Sequence, residues 1–128
     1  MHNFEMNDKG WEKFNNLHFT QNSFVKNKAY SVNLDLVIDE NYTESSFEFQ
    51  LLIESEEGES WNKVFAIPIK DKEGNFLIEK KNGVFNYHIL LLKAKYFNEK
   101  GNYSFEVVNL NPKLVTKGIK KISFIFEG

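Results

Sequence analysis

Three histidines, His2, His18 and His88, are the side chains in this 128-residue chain best suited to move protons near neutral pH. No two of them stand at H-x-H or H-x-x-x-H spacing, so neither a strand nor a helix face presents a pair to a metal. Surface or packing roles are expected for them. Asp71, Glu73 and Asn75 surround Gly74 and put oxygen donors at alternate positions, as a calcium loop does. An EF-hand loop needs its glycine sixth and a glutamate twelfth, and this stretch reads instead as a tight turn. Glu54, Glu56, Glu57 and Glu59 concentrate carboxylates around Gly58, the composition of a solvated hairpin tip. The chain has no cysteine, which removes thiol nucleophiles, thiolate metal sites and disulfides. Nucleophile-elbow, phosphate-loop and dinucleotide motifs are absent as well. No enzyme, metal or cofactor is expected.

Two tryptophans, Trp11 and Trp61, are the candidates for contact with a partner. An exposed indole stacks on a sugar or anchors a protein interface; the competing reading has both rings sealing the edge of a core. All 16 basic residues are lysine, against 18 acidic ones, for a net charge of −2. Bidentate readout of phosphate or guanine draws on the planar fork of arginine, so nucleic acid is not an expected partner. The pairs Lys80–Lys81 and Lys120–Lys121 offer charge to a partner on one reading; the favoured reading is that they guard strand ends against edge-to-edge association.

The elements that would position these residues are strands. Tyr30, Val32, Leu34, Leu36 and Ile38 alternate with polar residues, as do Phe47, Phe49, Leu51 and Ile53, and period-two alternation marks a strand with one buried face. Beyond the acidic tip, Trp61, Lys63, Phe65, Ile67 and Ile69 continue the pattern. Pro68 lacks the N–H for a ladder bond, so this strand belongs at a sheet edge. A short strand is expected over Phe76–Glu79. The run from Val84 to Phe97 is ambiguous because HILLLK also suits a helix, but its aromatics favour a strand. Ile122, Phe124 and Phe126 form the last strand. Residues 1–10 show no periodicity and read as a flexible lead-in; Trp11–Thr20 is an irregular edge strand. With 13 phenylalanines and no long amphipathic helix, the expectation is one all-β domain over residues 11–128. It would be an antiparallel β-sandwich, Ig-like or jelly-roll, of about eight strands.

The best-defined local feature is Phe97–Val108. A turn at Asn98–Gly101 leads into Tyr103, Phe105 and Val107 at period two. Gly101-x-Tyr103-x-Phe105 has the form of a tyrosine corner, which makes Tyr103 and Gly101 structural residues. The Tyr103 hydroxyl then needs a backbone partner within residues 97–100.

Taken together, Trp11, the run Val64-Phe65-Ala66-Ile67-Pro68-Ile69 leading into Asp71-Lys72-Glu73-Gly74-Asn75-Phe76-Leu77, Tyr87, Phe97-x-Glu99-Lys100-Gly101-x-Tyr103-x-Phe105 and Gly118-Ile119-x-x-Ile122 resemble the gliding-motility lipoprotein H (GldH-like) family of Bacteroidetes. The resemblance spans roughly Trp11 to Glu127 and rests on turn and core residues. It implies a non-catalytic, lipid-anchored, periplasm-facing envelope component. Such a component would work through contacts with other gliding or secretion envelope proteins and meet the membrane only through a lipid anchor. The family's lipid-carrying cysteine has no counterpart here and is expected upstream of Met1, with the targeting segment. Leu110 and Asn111 stand where the family tends to have a Met-Arg pair. The alternative, from a different class, is a carbohydrate-binding sandwich module using Trp11 and Trp61.

Overall fold

A computed structural model describes residues 1–7 and 9–128. The described residues form ten strands: β1 (His2–Glu5), β2 (Trp11–Glu12), β3 (Leu17–Gln21), β4 (Ala29–Ile38), β5 (Ser46–Ser55), β6 (Ser60–Pro68), β7 (Phe85–Tyr96), β8 (Tyr103–Asn109), β9 (Val115–Thr116) and β10 (Ile119–Glu127). One antiparallel sheet has the order β1-β10-β4-β7 and the other β3-β8-β5-β6, while β2 and β9 make a small ribbon. The two four-stranded sheets face each other across one apolar core, so the protein is an all-β sandwich.

Alternation in the sequence produces this core directly. In β4 the even-numbered positions Val32, Leu34, Leu36 and Ile38 are buried, and in β5 the odd-numbered Phe47, Phe49, Leu51 and Ile53 are buried. Successive side chains of a strand point to opposite faces, so each strand contributes one apolar row. Aromatic rings join the rows across the layers. Phe19 of β3 stacks on Phe105 of β8 with ring centroids 4.7 Å apart and also meets Phe124 of β10 at 5.2 Å.

The structure departs from the expected elements in several places, each for a long-range reason. Residues 2–5 are a strand and not part of a loose lead-in. Their pairing with β10 sets Phe4 opposite Ile122, and the His2 ring stacks on Phe19 at 4.3 Å. A four-residue strand is too short to show periodicity, and its stability comes from the sheet it joins. The expected strand at Trp11–Thr20 is split in two between β2 and β3. Phe76–Glu79 is not a strand; Phe76 makes only an isolated bridge to Lys70 and stacks on Phe85 at 3.8 Å.

The ambiguous run is strand β7, and it holds a bulge. The β4–β7 register shifts on either side of Val32, and Ala94 adopts φ +56°. Both Leu91 and Leu92 consequently turn inward, which breaks the two-residue alternation and gives the segment its helix-like apolar spacing.

Residues 39–45, polar by composition, carry the most deeply placed tyrosine. Tyr42 is fully buried; its hydroxyl donates to the Ser46 carbonyl at 2.6 Å and accepts from the Asn111 amide at 3.2 Å. Asn111 also accepts the Glu48 N–H at 2.8 Å and donates to Thr116 Oγ1. Asn109 donates to Thr116 Oγ1 and to the Trp11 carbonyl. These paired buried groups fasten the β2–β9 ribbon to the sandwich, because each would cost free energy if left unpaired. Gly118 makes the close approach possible. It sits at φ +88°, where an added Cβ would lie 2.3 Å from the Tyr42 backbone nitrogen.

Candidate functional site

Trp11, a candidate contact residue by sequence, is a core residue: only 1% of it is exposed. Its indole N–H donates to the Asn15 carbonyl at 2.7 Å and its ring packs on Phe47. The pairing of β2 with β9 folds the ribbon over it, so it has no surface to offer a sugar or a protein. The most exposed phenylalanine, tyrosine or tryptophan rings among the described residues are Phe14 and Tyr96, in the turn after β2 and at the end of β7. Two rings on separate elements do not form a stacking row for a polysaccharide.

Trp61 remains at the surface, half-buried on β6. Lys95 of β7 lies with Nζ 5.9 Å from its ring centroid, 5.9 Å from that of Phe97, and 3.8 Å from Glu59 Oε1. The ammonium therefore bridges the two sheets at this corner, held by ring faces and a carboxylate.

Tyr103 is buried and accepts the Glu99 N–H at 2.9 Å through its hydroxyl, inside the 97–100 segment. Gly101 takes φ +89° in the turn before it. Glu99 accepts a hydrogen bond from the Ser55 hydroxyl, which ties this turn to the β5–β6 hairpin. Burial pushes the Tyr103 phenol above its ordinary pKa.

The remaining candidates are used locally. Asp71 Oδ1 accepts the N–H groups of Glu73 and Asn75 at 2.9 Å, so its carboxylate builds the turn. Among the described residues no group of three His, Asp or Glu side chains could hold a metal ion. This includes the acidic tip, where Glu59 faces Lys95. Lys80 pairs with Glu40, and Lys120 lies 3.3 Å from Asp39 Oδ2. His18 lies 3.3 Å from Glu106 Oε1 and His2 2.6 Å from Gln21 Oε1.

One constellation was invisible in the sequence. On the outer face of the first sheet, Asn3, Ser123, Asp35 and His88 lie opposite one another in successive strands. Ser123 Oγ donates to Asn3 Oδ1 at 2.6 Å, and His88 Nδ1 is 2.6 Å from Asp35 Oδ1. Each residue belongs to the polar face of its strand, but only the pairing registers place them in a row. Nucleophile activation needs an imidazole between hydroxyl and carboxylate. Here the carboxylate lies in the middle, and the serine bonds an amide oxygen. The row is a hydrogen-bonded polar strip, with a shallow groove beside it lined by Ile78, Glu79, Lys81, Asn86 and His88.

A family model described as GldH lipoprotein matches residues 1–124 of the chain. No curated protein and no solved structure matches it.

Proposed function

From the premise that this chain belongs to the GldH lipoprotein family, we propose that it is a non-catalytic component of the gliding motility machinery in the cell envelope. It is held at the membrane by a lipid anchor, faces the periplasm, and acts through contacts with other gliding or secretion proteins. The observation that carries this reading is the extent of the family match, which runs through the sandwich from β1 into β10. The surface is in keeping with contact-making. The exposed Asn3 and His88 at the two ends of the polar row and the Trp61–Lys95 corner offer hydrogen bonds and a ring at sites on paired strands.

The test is genetic. Deleting the gene in a gliding host should abolish colony spreading, and the wild-type gene should restore it. Normal spreading of the deletion strain would refute the proposal. Membrane fractionation with radiolabelled palmitate, applied to the product of the native gene, tests the anchor separately.

A further inference from the structure

The sandwich has four edge strands, and they are not equally protected. β1 has four residues and β3 five, too short to template much pairing. β7 has twelve, but its ladder is interrupted by register shifts and it carries His88, Lys93 and Lys95. β6 differs from all three. Its nine residues, Ser60–Pro68, pair with β5 in one unbroken register, and among the described residues no further strand covers its other side. Its only charged side chain is Lys63. Val64 is 58% exposed, and Trp61 and Phe65 are half-buried. A long, regular, nearly uncharged edge is a ready template for another strand.

We propose that the β6 edge is a self-association surface, pairing antiparallel with β6 of a second copy about a two-fold axis at Val64. Lys63 selects this occupant. Trp61, Lys63, Phe65 and Ile67 lie on the inward face, opposite the buried β5 residues Ile53, Leu51, Phe49 and Phe47. An inward-pointing lysine obstructs a generic apolar strand, which would bury its charge. In the Val64-centred register, each Lys63 lies opposite Phe65 of the other copy, and Trp61 lies opposite Ile67. Within the chain, Lys63 Nζ already sits 5.2 Å from the Phe65 ring centroid, so the ammonium would gain a second ring of the same kind. Opposed residues share a face in this register, the apolar rows continue across the junction, and no like charges within the two strands meet. A register moved by one residue toward the N-terminus would set Lys63 against Lys63. This inference comes from the edge alone and does not depend on the proposed function.

The two-fold axis makes the test specific, because it alone sets residue 64 against itself. Wild-type protein should show a monomer–dimer equilibrium in sedimentation. Val64→Lys and Val64→Glu should each weaken self-association about tenfold or more by opposing like charges. Val64 faces solvent beside Gln50, so both variants should keep the wild-type circular dichroism spectrum. An equimolar mixture of the two should recover a heterodimer. A wild type that stays monomeric up to its solubility limit overturns the proposal. So does a dimer indifferent to either substitution, or a mixture of the two variants that does not re-associate.

Discussion

Tyr42 and Tyr103 show what a buried hydroxyl demands of its surroundings. Tyr103 accepts one backbone N–H, from Glu99, and its ring meets Phe97 edge-on at 5.1 Å. Tyr103→Phe keeps the ring and leaves that N–H unpaired, so it should cost about 1 kcal/mol in a urea titration. Tyr42 is held from two sides, by Ser46 and Asn111, and burial pushes its phenol well above the ordinary range. Burial also raises Tyr87 and Tyr103. In each case the folded pKa exceeds the unfolded value near 10. Their contribution is therefore fully present below about pH 10 and is lost as pH rises beyond it, where the unfolded chain ionises and the folded one does not. For Tyr42 the slope should approach about 1.4 kcal/mol per pH unit. Stability measured from pH 9 to 11 should fall, and Tyr42→Phe should be less stable at neutral pH but lose less across that window.

At the level of the element, β7 carries a local irregularity. Ala94 sits at φ +56°, a conformation that costs an L-residue with a Cβ roughly 1 kcal/mol. Ala94→Gly relieves that strain while adding entropy to the unfolded chain. The net expectation is a stabilisation of at most about 1 kcal/mol, read as a higher melting temperature. A loss of stability would mean that the Ala94 methyl contributes packing of its own. β1 shows the opposite case, a strand with weak local signals that is held by what it joins. Its Phe4 and His2 both reach Phe19 on the facing sheet, so it helps to close the core on the β1–β3 side.

Across the whole molecule, one cluster of buried side chains runs through both four-stranded sheets and includes Trp11 from the ribbon. No part of the core can open without exposing apolar surface on another element. Unfolding in urea should therefore be a single transition, with far-ultraviolet circular dichroism and tryptophan fluorescence giving the same midpoint. Trp11 and Trp61 make the comparison informative, since one reports the ribbon and the other the β6 edge. Separate midpoints would show that the β2–β9 ribbon releases before the sandwich does. Lys80 and Glu40 pair with both side chains well exposed, so salt should change this midpoint little through that contact.

Period-two alternation in β4, β5 and β8 specified which side chains would be buried, because a strand's two faces are written directly into successive residues. Pro68 marked β6 as an edge strand, and Gly101 with Tyr103 marked a turn and a buried ring, since a missing N–H and a left-handed turn are local chemistry. What neighbours what was a different matter. The burial of Trp11 and Tyr42 depends on Asn109, Asn111 and Thr116, which lie far from them along the chain. The row of Asn3, Ser123, Asp35 and His88 exists only through three pairing registers. A ladder fixes its register through the packing of whole sheets. Local composition could therefore name the strands but could not say which polar residues would meet across them.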